Sequence, residues 1–281
     1  MIRRMLTLAL VGTALGCGSS TEQAASEGAA ATSTQSTKTP DKKFDIRTLK
    51  AEAVPEALVP KSAEMQAALT HAGLTSQLAK AVAARDIKMN STNKDQIAVR
   101  SGVILADLAL TVKTATSVQQ VGRLARLKQG FVLLGASPEA IKTLDDLSAR
   151  IATGSGSRDD LVKEFGELSG MVVPQLRFKA GDWMVPLIQA GAWLEGAHLV
   201  SGAIIAEGKY QEGGKLLKQP AVVEYFLGYV KGQGRTRAPD VVVDQLEQTL
   251  ATLKEITSKD DLTEADVKTI HSATGAVLKL L

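Results

Sequence analysis

The sequence predicts an all-α protein, a single multi-helix bundle of about eight helices behind a signal peptide and a disordered tether. Three observations predict it. Aromatic residues make up only 4% of the chain while hydrophobic residues reach 44%, so Ala, Leu, Val and Lys carry the sequence, as they do in helix bundles. From Lys61 onward, apolar residues recur at helical spacing, and several segments open on a capping residue. No run of alternating apolar and polar residues reads as a strand.

The chain opens with Arg3 and Arg4, followed by a short apolar core from Met5 to Val11. That core is shorter than the roughly 20 residues a permanent span needs, so residues 1–16 are expected to be a cleaved export signal. Ala14-Leu15-Gly16-Cys17 resembles the lipobox of bacterial lipoproteins, in which small residues precede a lipidated cysteine. Leucine is the commoner residue where Ala14 stands. Cys17 is the only cysteine, which excludes an internal disulfide and leaves the domain to rest on its core. Residues 17–43 then form the lipidated cysteine and a Ser/Thr/Ala-rich tether with too little apolar surface to offset chain entropy. Residues 44–281 are the expected helical domain. Its first stretch, Phe44 to Pro60, carries Leu49, Val54, Leu58 and Val59 with two prolines and is expected to lie extended over the domain.

The helices that follow are punctuated in order. Ser137-Pro138-Glu139 supplies a cap, a first-turn proline and an early acid, ahead of a stripe of Ile141, Leu144, Leu147 and Ile151. Ser157 with Asp160 makes a capping box before Leu161, Phe165 and Leu168. Trp183 to Ala206 is long and mostly apolar, but Glu195 and His198 within it favour the central helix of a bundle over a membrane span. Tyr225, Phe226 and Tyr229 read as core aromatics. Pro239-Asp240 opens a helix with Val243, Leu246, Leu250 and Leu253 on one face, and Thr263 with Asp266 caps the last. Turns are expected near Gly135, Gly154, Gly181, Gly213, Gly232 and Lys259.

Charge excludes one class of partner. The chain has 33 basic and 30 acidic residues, and losing residues 1–16 removes two arginines and no acid, leaving a net charge of +1. Such a chain has no electrostatic footprint for nucleic acid. Signatures of enzymes are also missing: there is no phosphate-binding Gly-x-x-x-x-Gly-Lys-Ser/Thr loop, no His-Glu-x-x-His and no haem-attachment motif. No cofactor and no catalytic residue is assigned.

Two acids remain to be explained. Asp107 sits in an apolar run, but helical rotation lines it up with Gln96, Arg100, Thr111 and Thr114, a polar seam facing water or a polar neighbour. Glu195 instead shares its face with Met184, Gly191, Ala192, Leu199 and Gly202, with only His198 polar. A carboxylate there must be paired or protonated, and Arg100, Arg123 or Arg126 could supply the donor. A structural tie between helices is the favoured reading over a ligand site. Arg123, Arg126 and Lys128 otherwise read as a solvated helix face. Glu195 and His198 also have the Glu-x-x-His spacing of helical di-metal sites, but neither His71 nor His271 completes a second copy, so no metal is assigned.

Gly102-Val103-Ile104-Leu105-Ala106-Asp107-Leu108 and Ala190-Gly191-Ala192-Trp193-Leu194-Glu195 resemble two signatures of a group of uncharacterised helical lipoproteins from Gram-negative bacteria. That group tends to carry an aromatic where Ile104 stands. The resemblance implies that Asp107 and Glu195 belong to one site, and it supplies no activity; Trp193, inside the second signature, is a further candidate for a ligand or buried polar site. The resulting expectation is a non-enzymatic envelope lipoprotein that holds a membrane through its lipid and offers a helical surface or pocket to a protein partner or small ligand. Gly18 places no retention acid after Cys17, so the outer membrane, facing the periplasm, is the expected address. The alternative is a metal- or small-ligand-binding protein, or an enzyme, built on Asp107, Glu195 and His198 with an arginine.

Overall fold

The computed structural model describes residues 62–83, 85–169, 178–181 and 183–281. The export signal, Cys17, the tether and the stretch from Phe44 to Pro60 lie outside the described residues. Within them the protein is all-helical. In chain order the helices are α1 Ser62–His71, α2 Thr75–Ala83, α3 Lys94–Thr111, α4 Ser117–Leu134, α5 Pro138–Thr153 and α6 Arg158–Glu167. They continue with α7 Met184–Glu207, α8 Tyr210–Gly214, α9 Pro220–Gln233, α10 Asp240–Thr257 and α11 Glu264–Leu278. Short 3₁₀ turns, Lys215–Leu217 and Gly234–Thr236, follow α8 and α9.

The caps sit where the sequence puts them. Ser137 accepts from the Ala140 N–H with Pro138 in the first turn, and Ser157 and Thr263 form capping boxes with Asp160 and Asp266. Gly135 and Gly154 end α4 and α5 with φ of 75° and 68°, a left-handed conformation that costs glycine nothing. Two expectations need correction. There are more helices than about eight, because α1, α2 and α8 are only 10, 9 and 5 residues long and too short to show periodicity. The turn placed near Gly213 lies earlier, at Gly208, while Gly213 is buried inside α8.

Two helices organise everything else. α3 and α7 pack along their lengths, and the reason is at Gly102 and Gly191. A Cβ on Gly102 would stand 1.9 Å from the Ile188 carbonyl oxygen, and one on Gly191 would stand 2.0 Å from that of Val99. Only glycine at both positions lets the two backbones meet. α7 divides two apolar clusters between its halves. Met184 and Ile188 join the cluster of α3, α4, α5 and α6, whose centre holds Ile104, Leu127, Phe131 and Phe165. Leu199, Val200, Ala203 and Ile204 join the cluster of α1, α2, α9, α10 and α11 around Leu69, Val223, Leu253 and Val267. None of the described helices is long and apolar enough to cross a membrane.

Candidate functional site

Where α3 and α7 touch, both acids are sealed. Asp107 and Glu195 have no exposed surface. Arg85, in the irregular segment after α2, grips both: its Nη1 donates to Glu195 Oε2 at 2.6 Å and its Nη2 to Asp107 Oδ1 at 3.1 Å. Nη2 also reaches Glu195 Oε1, making a bidentate pair. From α4, Arg123 Nη1 donates to Asp107 Oδ2 at 2.9 Å, and its Nη2 donates to the Val82 carbonyl in the last turn of α2. One ionic knot thus ties α2, the segment after it, α3, α4 and α7.

The knot holds two carboxyl groups against each other. Burial and the neighbouring Glu195 carboxylate push Asp107 well above the usual carboxylate range, against the pull of Arg123 and Arg85. Burial works against the Arg85 guanidinium, but its hydrogen bond to Glu195 and the two acidic charges outweigh this and raise it. Burial, with Arg85 and Arg126 nearby, lowers Arg123 despite Asp107. Each acid is satisfied by the protein's own arginines. Asp107 and Thr111, in the middle of the polar seam, are fully buried, while Gln96 and Arg100 are half-buried and Thr114 is exposed. Arg123, only 8% exposed, is no part of a solvated face. Arg100 and Arg126 do not join the knot, since Arg100 donates to the Lys88 carbonyl and Arg126 pairs with Asp86.

His198, one turn beyond Glu195, points elsewhere. Its ring stacks on that of His271 from α11, with centroids 4.2 Å apart and planes within 6°. Each Nδ1 lies 3.1 Å from the other residue's carbonyl oxygen, which assigns the hydrogen to Nδ1 on both. Each ring also rests on the other helix's glycine. A Cβ on Gly202 would come within 3.0 Å of His271, and one on Gly275 within 2.9 Å of His198. Burial and the second ring hold the His198 imidazole below its ordinary range, against Glu195. Among the described residues no cluster of three or more His, Cys, Asp or Glu could hold a metal ion. The Glu-x-x-His half-motif does not converge on a point.

Trp193 points in a third direction. It lines an open cavity of about 110 Å³ whose walls come from α1, α3, α7, α9's approach, α10 and α11. The walls are small and apolar where α3 and α7 pass, at Ala106, Ala109, Ala192, Gly196 and Ala197, and bulkier at Met65, Leu216 and Leu253. Trp193 Nε1 donates to Gln219 Oε1 at 3.0 Å, and the ring packs on Phe226. The seven site residues marked in the sequence therefore separate: Asp107, Glu195 and Arg123 meet, while Arg100, Arg126, His198 and Trp193 do not.

Sequence reasoning missed Arg85, which lies outside any periodic segment. It also missed the pairing of His198 with His271. A signal for the second does exist: His198-Leu-Val-Ser201-Gly202 and His271-Ser-Ala-Thr274-Gly275 carry one pattern twice. No protein-family model matches the chain, and no curated protein or solved structure matches it.

Proposed function

We propose that the chain is a non-enzymatic envelope lipoprotein, anchored through Cys17 in the outer membrane, whose helical domain binds a small apolar ligand in the cavity beside Trp193. The observation that carries this reading is a contrast within one helix. On α7, the ionisable side chain at Glu195 is closed off by Arg85 and Arg123 working through Asp107, whereas the side open to a ligand is apolar. Pockets that bind small molecules are concave and mostly apolar, with few polar groups. The lipobox-like Ala14-Leu15-Gly16-Cys17 supports the anchor. The alternative, a polar ligand or metal held by Asp107, Glu195 and His198, has no observation in its favour, because the acids are spent on arginines and the imidazole on His271.

Two measurements test it. The full-length chain, expressed in a Gram-negative host, should partition into the detergent phase, and a Cys17→Ser variant should not. Purified protein should enhance the fluorescence of the apolar dye N-butyl-1-naphthylamine, whose short butyl tail matches the cavity's size, and a Gly196→Leu variant, which fills the cavity, should lose that enhancement. Equal dye response in both proteins would refute the cavity as the binding site.

A further inference from the structure

The cavity's lining indicates what it holds. Resting on the reading of this domain as a binding module, we infer that the cavity takes the terminal carbons of a single-chain amphiphile drawn from water, its head group left in solvent. Three features lead there. First, every polar side chain in the lining is already engaged. Ser169 Oγ donates to the Phe165 carbonyl at 2.9 Å, and Thr257 Oγ1 to that of Lys254 at 3.3 Å. Gln219 accepts from Trp193 and donates to the Leu216 carbonyl at 3.3 Å. Apart from the second N–H of the Gln219 amide, no side-chain donor in the lining is left over for a ligand, so the part that enters is hydrocarbon.

Second, size and shape select a chain end. An apolar cavity of about 150 Å³ holds the six carbons of benzene. In proportion, 110 Å³ holds four or five. The α7 residues that line it run from Ala192 to Val200, about 12 Å of helix at 1.5 Å per residue, which is longer than an extended chain end of that size.

Third, the source follows from what the hydrocarbon leaves. A chain taken from water binds about fourfold tighter for each methylene it buries. A chain taken from a bilayer exchanges one hydrocarbon environment for another and gains almost nothing. The occupant is therefore a dissolved amphiphile, such as a fatty acid, and not a bilayer lipid.

The test uses the two tryptophans. Trp183 is outside the cavity, stacked under Arg237, so a Trp183→Phe background leaves Trp193 as the sole reporter. Bromine quenches indole fluorescence on contact. In this background, 12-bromododecanoate should quench Trp193 while 2-bromododecanoate does not, and Gly196→Leu should abolish the difference. A Cβ on Gly196 meets nothing within 4 Å, so Gly196→Ala is a milder filler that keeps the comparison valid should the leucine variant misfold. Equal quenching by both isomers, or stronger quenching by vesicles of bromine-labelled phosphatidylcholine, would overturn the inference. If the apolar dye is bound and blocked by Gly196→Leu while neither dodecanoate quenches, the chain-end inference falls and the binding module stands. If the dye also fails, both fall.

Discussion

At the scale of single residues, the ionic knot is where burial and charge compete most directly. Removing one partner of a buried pair leaves the other charge unsatisfied, at a typical cost of about 3–5 kcal/mol. Arg85→Met should therefore destabilise the domain by about 3 kcal/mol at pH 7, read as a shift in urea midpoint. The loss should shrink towards pH 4, because Asp107, held well above the usual carboxylate range, then carries a proton and no longer needs the guanidinium. An equal loss at both pH values would mean that Arg85 acts by packing alone. Asp107 has its own pH signature. Its folded form holds a proton above the pH at which the unfolded chain, near about 3.9, releases one. Its stabilising contribution is thus complete below that value and is lost as pH rises through the folded pKa. Asp107→Asn, which keeps a neutral hydrogen-bonding group, should remove this dependence, and Asp107→Ala should cost more. The need for a partner at Glu195 was legible in the sequence, because its helical neighbours are apolar. The burial of Asp107 was not, because Gln96, Arg100 and Thr114 on the same side of α3 do reach water, and only the middle of that seam is covered. Arg85 gave no signal, since an arginine in an irregular segment shows neither period nor register.

At the scale of elements, contact between helices depends on glycines that helical propensity alone would disfavour. Gly102→Ala or Gly191→Ala would gain up to about 1 kcal/mol of helix propensity. Each also drives a methyl group into a backbone carbonyl that cannot rotate away, and such overpacking costs typically about 1–3 kcal/mol or more. Both variants should melt lower than the parent. Gly196→Ala is the control: with open space around the new methyl it should melt higher by the propensity gain. A stabilised Gly102→Ala would disprove the close approach of α3 and α7. The α7–α11 contact adds a second pH response. His198 is held below its ordinary value near about 6.5, so the unfolded chain takes its proton first. The stability contributed by the neutral His198 ring is complete above that pH and is lost as pH falls below it. Glu195 and Arg85, the other charged groups that act on the ring, do not reverse that direction. Thermal melts between pH 7 and pH 5 should show the fall, and His198→Gln, which removes the titrating ring, should flatten it. The caps and stripes of α5, α6 and α11 could be read in advance because each is a local pattern of a few residues. Which helix meets which could not, because Gly102 and Gly191 look like any other helix glycines until their partners are known.

At the scale of the whole molecule, an all-α bundle was legible from composition and periodicity, and the separation of its functional features was not. Helical rotation assigns a residue to a face of its own helix, but α7 touches different partners on every side. Trp193, Glu195 and His198 lie within six residues of each other and serve a cavity, an ionic knot and a helix lock. A variant at one should leave the readouts of the others intact. His271→Gln should keep dye binding, and Gly196→Leu should keep the acid sensitivity of the melt. Loss of both readouts in either variant would mean that α7 responds as a unit.

The glycine-mediated meeting of α3 with α7 also bears on timing. Three helices, α4, α5 and α6, are made between the two, so their backbones can touch only after a long stretch of chain has emerged. Contacts between distant segments form slowly, because the intervening loop must close before they reward it. Neither apolar cluster is complete without α7. The bundle therefore cannot close until α7, which starts about two thirds of the way along the chain, has been made.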